Sequence, residues 1–448
     1  MSRIVRLVVL PTVVGALIVV AGLAAYASAL ASSPGALDPS FGAGGKVTTP
    51  MGTGRAQVTA VAIDRRNNGR NSVKGPKIVA GGSASNGLNL DFAVARYNDD
   101  GTLDTTFGAG GKVLTPVGSG EDFAWAIALQ HHDGKIVQAG YAYSGAFKQF
   151  ALVRYDEDGS LDSTFGVGGK VLTAIGPGSA VARAVTIQGH KIIVGGYSSR
   201  CACDTSGTTS AAGAQDTLTL ARYNEDGSLD ASFGSGGIVT LGSVPSLTRG
   251  HGEVLVQEDD KIVIGGVFGV TFRDFEMLTV RFTNDGSLDP GFNGTGISVT
   301  DVGPGAALAT ALQSDSKIVQ AGYTSSAGGR QDLTVIRHNA DGTLDTGFGV
   351  NGRVVTFLAG TSAARGLAIN EDGKIIAVGR AFTGVHLDFL VERYNADGSL
   401  DSTFNGSGIV TTDVGGANAG QAVALEHGRI LAGGVSNDQF ALVRYMDG

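Results

Sequence analysis

At 448 residues the chain is long enough for two or three domains, but its 71 glycines, about twice ordinary usage, set it apart from a generic globular sequence. The net charge of −8 becomes −10 once Arg3 and Arg6 at the N-terminus are set aside, which argues against nucleic acid as a partner. Hydrophobic residues at 42% exclude a disordered chain, and two cysteines are too few for a disulfide scaffold.

Residues 1–31 open with Arg3 and Arg6, run uncharged from Leu7 to Leu30 and finish on small residues at alternate positions, among them Ala27-Ser28-Ala29. A basic start, an apolar run and small closing residues predict a secretory signal cut after Ala29 or Ala31. The apolar run is long enough to span a bilayer, so an uncleaved membrane anchor is the alternative. Either way the remainder is expected outside the cytoplasm, secreted or at the cell surface.

From residue 35 to 448 one unit recurs seven times as a single domain. Its clearest mark is Leu-Asp-x-x-Phe, ending on Phe41, Phe107, Phe165, Phe233, Phe292, Phe348 and Phe404, 56 to 68 residues apart. A fixed long period means one supersecondary unit stacked on itself. In the second copy, Gly108-Ala109-Gly110-Gly111 predicts a turn and Lys112–Thr115 a short strand. Trp125–Gln130 follows as a buried strand, and Asp133-Gly134 turns the chain into a third strand, Lys135–Gly140. Phe150–Tyr155 is the fourth strand, after which Glu157-Asp158-Gly159 leads into the next copy.

Helical periodicity is missing from the chain after the N-terminal segment, and four antiparallel strands repeated radially seven times make a seven-bladed β-propeller. The last copy stops at Arg444-Tyr445-Met446-Asp447-Gly448, and the first begins at Gly35-Ala36-Leu37-Asp38, its missing continuation. The ring is therefore expected to close by shared strands, with Lys46–Thr49 completing the blade of Gln439–Tyr445. That phase puts Ala-x-Ala-Ile-Ala innermost and Gly-Lys-Val-x-Thr outermost.

Three motifs in fixed order, Leu-Asp-x-Ser/Thr-Phe-Gly-x-Gly-Gly-Lys-Val, Lys-Ile-Val-x-x-Gly and Arg-Tyr-Asn-x-Asp-Gly-Ser-Leu-Asp, make the chain resemble the delta-60 repeat family of bacterial exported proteins. The resemblance implies a β-propeller and brings no activity, substrate or catalytic residue with it. Departures are small: Ile238, Ile297 and Ile409 replace the lysine of Gly-Lys-Val, Arg353 does so conservatively, and Thr283 replaces the asparagine.

Several motifs invite chemistry. Arg222-Tyr223-Asn224-Glu225-Asp226-Gly227-Ser228-Leu229-Asp230 has the outline of a calcium loop, but arginine stands at the first ligand position in every copy. An internal arginine–aspartate latch is the expected reading, since a guanidinium beside carboxylates can replace the cation. Gly42-Ala43-Gly44-Gly45-Lys46 fails as a phosphate loop, because Ser40 and Val47 stand where glycine and Ser/Thr are needed. Gly-x-Ser-x-Gly does not occur. The histidines (His131, His132, His190, His251, His338, His386 and His427) fall in different repeat positions without metal-ligand spacing. No cofactor, metal ligand or catalytic residue is assigned. Cys201 and Cys203, in an insertion of the third copy, are expected to pair as a loop staple.

What differs between copies is more informative. At the start of the inner strand the aligned residues are Thr59, Trp125, Arg183, Gly252, Leu308, Arg365 and Gln421. After the second-strand glycine they are Ser83, Tyr141, Tyr197, Val267, Tyr323, Arg380 and Val435. Inner strands surround a channel, so Trp125, Arg183, Arg365, Tyr141, Tyr197 and Tyr323 are the candidate ligand-binding residues, suited to a sugar, an anion or a peptide. The expected function is a monomeric binding or scaffold module that recognises a protein or polysaccharide. A hydrolase or lyase at the channel mouth is the alternative, with Glu121, Asp122 and Glu253 as its acidic candidates.

Overall fold

The computed structural model describes residues 33–66, 75–199, 216–241, 247–269, 275–326 and 328–448. The N-terminal apolar segment and the Cys201–Cys203 loop lie outside those residues. Among the described residues there is no helix, and the strands form seven four-stranded sheets.

Blades 1 to 6 span Ala56–Thr115, Asp122–Thr173, Ala180–Thr240, Leu247–Thr300, Gly305–Thr356 and Ser362–Thr412. Blade 7 holds Asn418–Glu426, Arg429–Ser436 and Gln439–Met446, and takes its fourth strand from Lys46–Thr49. The closing register is Lys46↔Val443 through Thr49↔Phe440, antiparallel, which is the expected closure. The first strand of each blade packs against the first strands of its two neighbours, and the Asn418–Glu426 and Ala56–Asp64 strands complete the circle. The chain is a seven-bladed β-propeller.

In blade 2 the inner strand runs Asp122–Leu129, beginning three residues before the predicted start, because Asp122 and Phe123 already pair with Ala142 and Tyr141. The second and third strands, Ile136–Ser144 and Phe147–Tyr155, are likewise longer than turn chemistry alone marks out.

Each blade is locked to the next by one arginine. Arg96, Arg154, Arg222, Arg281, Arg337, Arg393 and Arg444 hold the aspartates of Leu-Asp-x-x-Phe (Asp104, Asp162, Asp230, Asp289, Asp345, Asp401 and Asp38) at 2.6–3.0 Å. Every guanidinium also lies 4.5–4.8 Å over the ring of the motif phenylalanine, and all seven of those rings are fully buried. An Nη1–H then crosses the seam to a turn carbonyl of the following blade, as from Arg154 to Glu225 and from Arg281 to Ala340. The repeated lysine of Lys-Ile-Val, or Arg429 in blade 7, adds a second cation 2.7–3.5 Å from the same carboxylate. The aspartate at loop position 9 is thus occupied by side chains, so the latch reading of the motif holds.

Candidate functional site at the axial channel

The inner strand of every blade slips register at one place. The pairing jumps from Val58 to Ala60, Ala124 to Ala126, Ala182 to Ala184, Ala307 to Ala309, Ala364 to Gly366 and Gly420 to Ala422. The skipped residues are Thr59, Trp125, Arg183, Leu308, Arg365 and Gln421, six of the seven positions at which the repeats disagree. In blade 4 the jump is wider, from Gly250 to Val254, and includes Gly252 and Glu253. A β-bulge leaves one residue out of the ladder and re-aims its side chain. Six single-residue bulges therefore turn six side chains toward the axis, and the wider slip of blade 4 adds Glu253 beside Gly252.

The bulge explains a glycine of the repeat. A Cβ at Gly140 would lie 1.9 Å from the Phe123 carbonyl oxygen, and Gly82, Gly196, Gly322, Gly379 and Gly434 meet the matching carbonyl at 1.8–2.1 Å. Only glycine lets the second strand approach the kinked first one. The Lys-Ile-Val-x-x-Gly motif is thus the mark of the bulge opposite it.

The bulged residues line an axial cavity of about 160 Å³, walled by Thr59, Trp125, Arg183, Gly252, Glu253, Leu308, Arg365 and Gln421 together with strand neighbours. Arg183 stacks on the indole of Trp125, its Cζ 3.7 Å from the ring centre. Trp125 in turn packs on Phe123 (4.4 Å between centroids), and Phe123 stacks with Tyr141 at 6.0 Å. The indole N–H of Trp125 and the Nε–H of Arg365 are buried and meet no acceptor within the protein. Burial, then the charges of Arg380 and Arg183, push the Arg365 guanidinium down to about 10. Arg365 thus lies within electrostatic reach of Arg380 in its own blade and of Arg183 in blade 3, and Arg183 and Arg365 share the cavity wall.

Tyr141, Tyr197 and Tyr323 lie on the second strands and are not among the residues that line the cavity. The Tyr141 hydroxyl is pushed up mainly by burial, with Glu121, Tyr143 and Tyr197 adding to it and Arg183 opposing. Lys148 sits 4.7 Å over the Tyr141 ring, Tyr197 is almost fully buried, and Tyr323 is half-buried within electrostatic reach of Arg365. Sequence comparison between copies thus finds Trp125, Arg183 and Arg365, which the fold brings together, and it also marks Arg380 as a variable position without choosing it as a candidate; the bulge itself escapes it. Nothing in a linear alignment marks a register slip except the glycine opposite.

The acidic candidates scatter. The Asp122 carboxylate is buried and accepts the backbone N–H groups of Val117 and Gly118, a turn-holding role, while Glu121 is exposed. Glu253 does line the channel; burial pushes its carboxyl up to about 7, although it accepts the Thr310 N–H. A larger groove of about 1010 Å³ lies on the outer rim around Val350, Arg353 and Phe357, and contains none of the bulged residues.

Six stretches of the chain match the family described as a domain of unknown function (DUF5122) beta-propeller: residues 77–107, 132–165, 204–233, 257–292, 313–348 and 371–404. Each stretch ends on the phenylalanine of Leu-Asp-x-x-Phe. No curated protein matches the chain. Among solved structures it is similar to the WD40 beta propeller domain of Doa1, with 11% identity, 90% of this chain and 98% of that one covered, and a TM-score of 0.46. It is also similar to a protein of unknown function from Dyadobacter fermentans DSM 18053, at 10% identity, coverage of 90% and 98% and a TM-score of 0.44. A puromycin hydrolase complexed with PGG gives 14% identity and a TM-score of 0.49, with 86% of this chain and 50% of that one covered. The propeller assignment rests on the chain's own strand pairing.

Proposed function

We propose that the protein is an exported binding module whose channel mouth receives an anionic group carried by a protein or polysaccharide at or outside the cell surface. One observation carries the reading: bulges deliver Trp125, Arg183 and Arg365 to one small cavity, where two buried N–H donors find no acceptor in the protein. Guanidinium groups held near one another in a desolvated place repel, and an anion bound between them relieves that repulsion. Tyr141 and Tyr323, half-buried on the second strands, supply flat faces of the kind that sugars and peptides pack on. The apolar N-terminus and the likeness of the repeats to delta-60 proteins support export.

The test is a binding screen of the chain from residue 35 onward against acidic and neutral glycans and secreted proteins. Acidic members should bind, and Trp125→Ala with Arg183→Ala should abolish that binding. A ligand whose affinity is unchanged by both substitutions would sink the proposal. An enzymatic reading keeps one observation in its favour, the proton that Glu253 holds near neutral pH. No second carboxylate or imidazole lines the cavity among the described residues, so the acid–base pair of a hydrolase or lyase is not assembled.

A further inference from the structure

On the opposite end of the blade 2 hairpin from Tyr141, three turns of blades 2 and 3 converge. His132 and Asp133 belong to the turn between the first two strands of blade 2, His190 to the matching turn of blade 3, and Glu225 to the turn after the third strand of blade 3. His132 Nε2 is 3.1 Å from Glu225 Oε1 and 3.4 Å from Asp133 Oδ2, and His190 Nδ1 is 3.5 Å from Glu225 Oε2. The two imidazoles meet edge-on with centroids 5.0 Å apart. The histidine nitrogens and the Glu225 oxygen all lie within 4.8 Å of one another.

We infer that His132, His190 and Glu225, with Asp133 as the fourth ligand, form a zinc site that ties blade 2 to blade 3. Donors about 2.0–2.1 Å from a tetrahedral zinc ion stand about 3.3 Å from each other, and the three separations bracket that value. Two imidazoles and carboxylates suit zinc among the borderline divalent ions and do not suit magnesium or calcium.

Electrostatics alone gives little reason for the arrangement, because ion pairs between exposed side chains contribute little in water. The turns themselves are held in place from below. Arg154 donates to the backbone carbonyl of Glu225 and lies 3.4 Å from Gln130 Oε1, next to the His131-His132 turn. One latch arginine thus fixes the two turns that carry His132 and Glu225, as a supporting shell does for a metal site.

Among the described residues, no other seam brings two imidazoles and a carboxylate together. Between blades 1 and 2 the corresponding carboxylate, Glu157, faces Arg66 at 3.8 Å, and between blades 6 and 7 a single imidazole, His427, faces Glu371 at 3.7 Å. His386 also sits near two carboxylates, Asp388 at 2.9 Å and Asp413 at 4.0 Å. That cluster offers one imidazole against the two at the seam of blades 2 and 3, a poorer donor set for zinc.

The spacing argument misses this site because its ligands come from two repeats, and Glu225 also sits inside the calcium-like motif. Zinc chloride titrated into chelator-stripped protein, in competition with a zinc-binding dye, tests the inference. One zinc per chain is expected, with a melting temperature that rises with zinc concentration. His132→Ala and His190→Ala should each weaken binding by about 10–100-fold. His386→Ala should not change it, and circular dichroism should show the propeller intact in all three. Failure of the wild-type protein to take up stoichiometric zinc overturns the site, as does full binding by the His132→Ala/His190→Ala double variant.

Discussion

Arg183 of blade 3 lies over the ring of Trp125 of blade 2, Cζ to ring centre 3.7 Å, and each residue sits at the bulge of its own inner strand. Trp125 is the only tryptophan in the chain. Its emission therefore reports on the channel directly. Arg183→Ala removes the stacked cation and should shift and brighten or quench that emission without changing the far-ultraviolet circular dichroism, which reads the blades.

The bulge glycine gives a stability prediction. Gly140→Ala places a Cβ 1.9 Å from the Phe123 carbonyl, where neither backbone can give way without losing ladder hydrogen bonds. A loss of about 2–4 kcal/mol is expected in urea unfolding. Gly110→Ala meets no atom within 4 Å but has a φ of 62°, so it should cost only about 1 kcal/mol. The contrast separates close approach from backbone strain.

The latch predicts a larger loss. Arg154→Ala leaves Asp162 buried with Lys135 as its remaining cation, uncovers the Phe165 ring and frees the Glu225 turn. About 3–5 kcal/mol should be lost in thermal or urea unfolding. Arg154→Lys should recover little, since an ammonium cannot both fork to the carboxylate and lie flat on the ring.

Stability should fall on both sides of a mildly acidic optimum. Burial acts to raise the Asp104 carboxyl, but Thr106, Lys77 and Arg96 hold it down to about 2, below its ordinary 3.8. Its contribution is complete above about pH 4 and is lost as pH falls through about 2. Glu392, fully buried against Tyr394, runs the other way: burial pushes it up to about 7 from an ordinary 4.5. Its contribution is complete below about pH 4.5 and is lost as pH rises through about 7. Glu392→Gln should flatten that second decline and gain on the order of 2 kcal/mol at pH 8, read from unfolding curves across pH.

Much of the fold was legible because the repeat states it seven times. The phenylalanine of Leu-Asp-x-x-Phe, the arginine at the end of the strand just before it and the split between Gly35 and Gly448 each fix a packing partner or a ring closure. The site was legible only by subtraction: Trp125, Arg183 and Arg365 stand out as the places where copies differ. The bulge was hidden, since a one-residue slip leaves no mark in a strand of alanines and valines beyond the facing glycine. Contacts between blades were hidden too. Arg183 of blade 3 near Trp125 of blade 2, and His132 near His190, come together through ring geometry that no spacing within one repeat encodes.

The central claim is that the bulged residues form a receptor for an anionic group. Its most direct test is a titration of wild-type protein and Arg365→Gln with uronate-containing oligosaccharides and acidic peptides, followed by Trp125 emission. A saturable change in emission is expected for an acidic ligand, weakened about tenfold or more in Arg365→Gln through loss of one charge-assisted hydrogen-bond donor. Ligands that bind with equal affinity to both proteins and leave Trp125 emission unmoved would contradict it.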